Sequence, residues 1–340
     1  MKHYGGIDLH STNSVVVVIN EQDEVVYQKR LPNDLKCILE QLSPYQSSLQ
    51  GIVVESTYNW YWLVDGLMDK GHRVHLANTA AIQQYEGLKY TDDNSDARWL
   101  AHILRLGVLP QGYIYPKQER AVRDLLRKRS QMVHHRTANL LSIQNLVTRN
   151  TGGSISANRI KGLDDQQVDE LLSNGDLALA VKANLSVMCT ADEQTEILER
   201  TVRERVKLRA EFSFLKTVPG IGQILALTIM LETGDIRRFP GVGNFASYCR
   251  CVGSQKISNG KRKGSGNTKN GNKYLAWAFV EAANFAIRYQ PRIKSFYQRK
   301  KAKSHGVVAI KAVAHKLCRA CYYIMKDRVA FDVTKAFGAK

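Results

Sequence analysis

Four carboxylates stand where they could meet. Asp8 closes the apolar run Gly6-Ile7-Asp8, and Glu55 closes Ile52-Val53-Val54-Glu55. Asp93-Asn94-Ser95-Asp96 adds two acids three residues apart, on one face at the start of a helical stretch. A carboxylate ending a buried strand is costly to desolvate unless a cation or a donor meets it. Adjacent parallel strands ending at one edge would bring Asp8 and Glu55 together. Four converging carboxylates repel one another unless they share hard cations. Mg²⁺, or Mn²⁺ in its place, accepts carboxylates together with phosphate oxygens and water. Two such ions about 4 Å apart can stabilise both the attacking and the leaving oxygen of phosphoryl transfer. Asp8, Glu55, Asp93 and Asp96 are therefore the candidate catalytic and metal-binding residues. Asp92, four residues from Asp96, is a decoy or a helper. The competing structural reading has Asp93 and Asp96 capping a helix and Glu55 on the surface.

The elements that must position these acids alternate in the first hundred residues. His3–Asp8, Ser14–Asn20 and Glu24–Leu31 read as three short strands joined by polar turns, an antiparallel meander. Asp34–Leu42 reads as a helix, Gly51–Glu55 as a buried strand, Trp60–Lys70 as a helix and His72–Ala77 as a strand. Asp93–Leu106 reads as a helix with an acidic N-terminus. Three antiparallel strands followed by alternating helix and strand is the order of the ribonuclease-H-like fold. From Lys117 to about Asn150 apolar residues recur at helical spacing among basic ones, which predicts one long amphipathic helix. Thr151-Gly152-Gly153-Ser154 breaks it, and a second helical region runs from Asp164 to about Leu215, with a heptad-like stretch over Thr195–Leu208. This middle segment is a helical hairpin, an oligomerising coiled coil or a packed bundle. Val218-Pro219-Gly220-Ile221-Gly222 then opens a C-terminal domain with the turn of a helix–hairpin–helix. The expected fold class is α/β plus α: an α/β domain over 1–112, a helical, coiled-coil-like middle over 113–212 and a mainly helical domain over 213–340.

The 340-residue chain carries a net charge of +18, which points to a polyanionic partner, nucleic acid before membrane. Between Ile236 and Lys326 stand twenty Lys and Arg but a single carboxylate, Glu281. Solvated surfaces normally mix both signs, so this C-terminal third is the candidate phosphate-contacting face. No apolar run is long enough for a membrane span and the N-terminus lacks a signal-peptide core, so a cytoplasmic, nucleoid-associated protein is expected. Of six cysteines, Cys318 and Cys321 have CxxC spacing without a second pair of that kind. Cys249 and Cys251 are wrongly spaced, so free thiols rather than a zinc framework are expected.

Asp8, Glu55 and Thr91-Asp92-Asp93-Asn94-Ser95-Asp96-Ala97 resemble the DEDD signature of a family of bacterial insertion-sequence transposases that also holds the Piv-type DNA invertases. Pro219-Gly220-Ile221-Gly222, Arg238-Phe239, Phe245-Ala246-Ser247-Tyr248, Gly264, Lys269-Asn270-Gly271-Asn272 and the stretch from Lys273 through Glu281-Ala282-Ala283 extend the resemblance over nearly the whole chain. It implies an N-terminal domain like Holliday-junction (RuvC-type) resolvases that holds Mg²⁺. It also implies a C-terminal transposase domain whose serine attacks a DNA phosphate and makes a phosphoserine link. Ser258 best matches that serine, although Asn259 intervenes before Gly260 where the family usually has glycine directly; Ser254 is the runner-up. Lys256, Lys261, Arg262, Lys263, Lys269 and Lys273 are the candidate nucleic-acid contacts around it. The resemblance further implies a dimer or tetramer acting on donor and target DNA, guided by an RNA from the element itself.

Two other functions suit the same residues. A metal-dependent junction nuclease would use the four carboxylates and leave Ser258 without a role. A non-enzymatic nucleic-acid-binding protein would keep its affinity without Asp8 or Glu55, but a pure binder of polyanions has no use for converging negative charges.

Overall fold

The computed structural model describes residues 1–82, 92–206, 208–253, 256–264 and 270–338. The chain forms two compact units, Met1–Lys117 and Gln118–Lys340.

The first unit is built on strands β1 (His3–Leu9), β2 (Asn13–Asn20) and β3 (Val25–Pro32). Helix α1 (Leu35–Leu42), strand β4 (Leu49–Val54), helix α2 (Tyr61–Asp69), strand β5 (Val74–Leu76) and helix α3 (Asp93–Arg105) follow. The sheet order is β3-β2-β1-β4-β5. β1, β2 and β3 are antiparallel, whereas β4 runs parallel to β1 and β5 parallel to β4. This is the succession of meander and crossover read from the sequence.

Side-chain alternation assigns the faces of the sheet. Ile7, Leu9, Val16 and Val18 point to the side covered by Ile38, Leu42, Leu63 and Leu67 of α1 and α2. Val15, Val17 and Ile19 point to the other, where Ala97 and Ala101 of α3 lie against them. Both faces of β2 are covered, so its valine run does not need polar alternation. α3 comes unusually close because Gly6 has no side chain: a Cβ there would stand 2.0 Å from the Ala97 carbonyl and 2.8 Å from the Ala101 nitrogen. This approach brings the first turn of α3 to the edge where β1 and β4 end.

The second unit starts with two long helices, α4 (Lys117–Thr151), then α5 (Ala157–Lys161), α6 (Asp165–Leu171) and α7 (Gly175–Arg205). α4 and α7 pair within the chain. Arg129 meets Glu199 at 2.8 Å and, one heptad on, Arg136 meets Asp192 at 2.7 Å, which fixes an antiparallel register. At the far end Ile143, Val147, Val181 and Leu185 form a small core closed by Ile160 and Val168 of α5 and α6. At 35 and 31 residues these helices extend about 50 Å. The helical region that the sequence places from Asp164 to about Leu215 is thus interrupted. Asn174 caps α7 through two backbone amides, and α7 stops at Arg205.

The C-terminal helices are α8 (Glu211–Leu215), α9 (Gln223–Thr233), α10 (Val242–Tyr248), α11 (Lys273–Tyr289), α12 (Pro291–Lys301), α13 (Gly306–Asp327) and α14 (Val333–Phe337). Between α10 and α11 lies a two-stranded hairpin, β6 (Lys256–Ser258) and β7 (Lys261–Gly264). α9 is buried on all sides, and Phe245, Phe279 and Leu317 fill the core with it. Gly220, in the turn before α9, has φ +86° and rests on α11, where a Cβ would stand 2.3 Å from the Ala282 carbonyl. Its glycine is therefore required by close packing as well as by the turn. Among the described residues no helix is long and apolar enough to cross a membrane.

Candidate active site

In the first unit the four carboxylates gather at one edge. Ile7 pairs with Val54 in parallel register, and the Glu55 amide donates to the Ile7 carbonyl at 3.0 Å. Asp8 and Glu55 therefore leave the sheet side by side, Asp8 almost fully buried. Their carboxyl groups are hydrogen-bonded to each other. Burial first, then that hydrogen bond and charge of Asp8, then the charge of Asp96 push the Glu55 carboxyl up to about 8. Two carboxylates in such contact must share a proton or a cation.

Asp93 and Asp96 come from the first turn of α3. Asp92 is the N-cap: its carboxylate accepts from the Ser95 amide at 2.8 Å and the Ser95 hydroxyl at 2.6 Å. The helper or decoy of the sequence thus frees the two acids behind it from capping. Asp96 faces Glu55. Asp93 is engaged by the Arg30 guanidinium of β3, which holds its carboxyl below the usual carboxylate range.

His10, just past β1, joins the set without having been singled out in the sequence. Its Nε2 lies 3.3 Å from Asp8 Oδ2 and 3.2 Å from Asp93 Oδ2. That nitrogen is buried and makes no hydrogen bond of acceptable geometry. Asp8, His10 and Asp93 offer ligand atoms all within 4.8 Å of one another. A proton-sharing carboxyl pair, a further acid facing it and an unsatisfied imidazole nitrogen make a donor set that fits a divalent cation.

In the second unit Ser258 ends β6 and pairs with Lys261. Asn259 and Gly260 between them have φ 49° and 67°. Both central residues in the left-handed region define a two-residue type I′ turn, for which Asn-Gly is the preferred sequence. Asn259, which interrupts the family's serine–glycine order, is thus the first turn residue and Ser258 the last of the strand. Ser258, Lys261, Lys263 and Lys273 are exposed. Lys256 and Arg262 lie in the hairpin strands. Lys269 and the alternative serine, Ser254, fall outside the described residues.

The base of this loop is pinched. The Asn272 amide donates to the Tyr248 carbonyl at 2.6 Å, and Arg250 donates to the Asn270 and Gly271 carbonyls at 3.1 Å. Asn272 also caps α11 through the Tyr274 and Leu275 amides and donates to Glu232 at 2.6 Å. Glu232, 3% exposed, accepts two bonds from Arg127 of α4, at 2.6 and 2.8 Å. Its burial is invisible in the sequence, where it is one more acid near a helix end.

All six cysteines are free thiols, as the sequence reading expects, and four of them meet in the core: Cys318 of α13 touches both Cys249 and Cys251, with Cys321 beside them. A Schellman turn after α10, with Arg250 in the left-handed region at φ 54°, carries Cys249 and Cys251 toward α13. Burial pushes the Cys249 and Cys321 thiols up, the state of unreactive core cysteines.

Comparison with known proteins bears on both halves. A transposase family model named for the DEDD acids of the IS110 group matches residues 5–150, and one described as the transposase IS116/IS110/IS902 family matches 213–298. A protein of Pseudomonas aeruginosa named "Probable family 20 transposase" is 22% identical over 96% of this chain and 97% of its own length. The transposase for insertion sequence element IS1111A of Coxiella burnetii is 22% identical over 84% of this chain and 78% of its own. The transposase for insertion sequence element IS1328 of Yersinia enterocolitica is 27% identical over 41% of this chain and 43% of its own.

Proposed function

We propose that this chain, which belongs to the DEDD-type IS110 family of transposases and so cuts and rejoins DNA, does so through a covalent serine–DNA intermediate supported by the acid cluster. The observation that carries the reading is the meeting of Asp8, Glu55 and Asp96 at one sheet edge, with Asp8 and Glu55 in hydrogen-bond contact. The ribonuclease-H-like reading of the first unit rests on its strand order and on this placement of the acids.

A divalent ion bound there, Mg²⁺ or Mn²⁺, would neutralise phosphate oxygens and stabilise charge on the entering and departing oxygens. Asp8, Glu55 and Asp96 would hold it, with Asp93 released from Arg30 to complete the set. The rigid sheet edge and the capped first turn of α3 orient these side chains before DNA arrives. Ser258 supplies the nucleophile: its Oγ–P bond forms as its proton departs, and the P–O bond to deoxyribose breaks as the leaving oxygen is protonated. Reversal on another strand's hydroxyl reseals the backbone and frees the serine. Lys261, Arg262 and Lys263 beside the Asn-Gly turn hold the phosphates, with Lys256, Lys269 and Lys273 as further phosphate contacts.

The partners follow the same reading: donor and target DNA, a guide RNA from the element and other copies of this chain. Leu141, Leu179, Val187 and Ile197 are exposed along α4 and α7. These apolar residues on long helices support association into a dimer or tetramer.

The decisive experiment is a denaturing-gel search for a protein–DNA adduct, using DNA and RNA from the gene's own flanks, with and without Mg²⁺. A Mg²⁺-dependent adduct in the wild type, absent in Ser258→Ala, is expected. Clean nicks without an adduct in both proteins would make the chain a hydrolytic nuclease and refute the covalent route.

A further inference from the structure

We infer that His10 is a metal ligand and that Asp8, His10 and Asp93 form a mixed nitrogen–oxygen subsite for a divalent transition ion such as Mn²⁺. It adjoins the all-oxygen set Asp8, Glu55 and Asp96, with Asp8 common to both, and the inference rests on the acid cluster being the catalytic metal site.

Geometry carries the assignment. His10 Nε2 stands 3.3 Å from Asp8 Oδ2 and 3.2 Å from Asp93 Oδ2. Adjacent ligands of an octahedral ion with bonds of about 2.1 Å lie about 3.0 Å apart, so both separations suit neighbours around one ion. The backbone holds the ring where it is. His10 donates its amide to the Asn13 carbonyl at 2.9 Å, and its own carbonyl accepts from Asn33 Nδ2 and Asn59 Nδ2, each at 3.0 Å. Asn33 follows β3 and Asn59 precedes α2, so three parts of the unit converge on this one residue.

The alternative is an imidazolium that merely neutralises its acidic neighbours. An ion-pairing histidine would aim its N–H squarely at one carboxylate oxygen, whereas Nε2 stands 3.3 and 3.2 Å from two such oxygens without a well-aligned hydrogen bond to either, although it is close enough to stabilise the Asp93 carboxylate. Asp93 moreover already has a cation in Arg30. An ion placed among the three ligand atoms, all within 4.8 Å of one another, satisfies all of them together. The chemistry of the ligand then sets a preference. Carboxylates alone suit Mg²⁺, whereas an added imidazole raises affinity for transition ions relative to Mg²⁺.

The test is pulsed EPR of Mn²⁺ bound to the full chain, with Mn²⁺ and Mg²⁺ affinities measured by calorimetry. The wild type should show nitrogen coupling typical of a ligated imidazole, and ¹⁵N-histidine labelling should convert it to the ¹⁵N pattern. His10→Gln and His10→Asn, checked for folding by circular dichroism, should lose the coupling and bind Mn²⁺ at least tenfold more weakly. Their Mg²⁺ affinity should fall by no more than threefold. Mn²⁺ bound without nitrogen coupling in the wild type, or coupling that survives in both variants, would overturn the assignment and leave the acid site standing. No ion bound at all, by the wild type or by His10→Gln, would overturn both.

Discussion

Removing the Glu232 carboxylate tests how the loop carrying Ser258 is anchored. Glu232 is 3% exposed and accepts two bonds from Arg127, whose side chain is 31% exposed, and one from Asn272. Glu232→Ala leaves a largely buried guanidinium with only the more exposed Asp124, 3.8 Å away, as counter-charge, and takes from the Asn272 amide its 2.6 Å acceptor. Breaking a buried pair from one side costs about 3–5 kcal/mol. Partial exposure of Arg127 lets water replace some of the loss, which places the cost near the lower end, about 3 kcal/mol. For a unit of this size that lowers Tm by about 6–12 °C. Urea unfolding followed by tryptophan fluorescence measures it, and Arg127→Met should cost less than Glu232→Ala. The double variant Arg127→Met, Glu232→Leu should recover most of the loss, because it leaves no charge stranded. Because Asn272 loses its grip at the base of the loop, adduct formation should fall more than DNA binding in the single variant. A cost below about 1 kcal/mol, or no recovery in the double variant, would refute the argument that this network is a buried, mutually dependent unit.

Five further outcomes are expected. Asp8→Ala or Asp96→Ala should abolish strand cleavage on a gel while changing DNA affinity, measured without divalent ions, by less than about threefold, since neither contributes positive surface; full cleavage in either would sink the metal site. Glu55, with its folded pKa of about 8, keeps its proton where the unfolded chain has lost it. The metal-free protein should therefore lose thermal stability as pH rises from about 5 through 8, and Glu55→Gln should flatten that slope. Ion binding expels this proton, so calorimetric affinity for Mg²⁺ should rise about tenfold per pH unit below 8; a flat profile would contradict the shared proton. Neutralising Lys261, Arg262 and Lys263 together should reduce the slope of log affinity against log salt by about 2–3, and an unchanged slope would move the nucleic-acid path elsewhere. Gly220→Ala should destabilise the second unit by about 2 kcal/mol or more in urea, because a methyl group at that position meets the α11 backbone; a neutral substitution would mean that α11 yields freely.

What could be read from the sequence and what could not divides along physical lines. Asp8 and Glu55 were legible because a carboxylate at the end of a valine-rich strand contradicts the burial around it, and the contradiction calls for a cation. The α3 acids were legible by their spacing, but the division of labour was not. Asp92 takes the cap because its backbone is extended at φ −134°, and only geometry reveals that. His10 had no pattern at all: one histidine two residues past an acid is ordinary, and its placement depends on Asn33 and Asn59 from distant segments. Asn259-Gly260 did carry a hairpin signal in its residue types. It was legible as a type I′ turn, but set against the family's serine–glycine order it reads as an interruption. The convergence of the four cysteines depends on the packing of α10 against α13, which no spacing rule contains.

The two units resolve a conflict present in the composition. A chain with net charge +18 attracts polyanions, yet its chemistry is read from clustered acids that repel them. Metal-free, the acid edge limits its own repulsion by holding a proton between Asp8 and Glu55 and by pairing Asp93 with Arg30. Those two devices hold the places that cations would take. A divalent ion must displace the proton, and a phosphate arriving with it gives Arg30 an alternative anion to Asp93. Ion and nucleic acid should therefore bind with positive coupling: each removes a cost that the other would otherwise meet alone. Mg²⁺ affinity measured with and without DNA would show it, and Arg30→Gln should weaken the coupling, because Asp93 then needs no release. Equal Mg²⁺ affinity in the presence and absence of DNA would mean that the acid edge and the basic hairpin of the second unit act on nucleic acid independently.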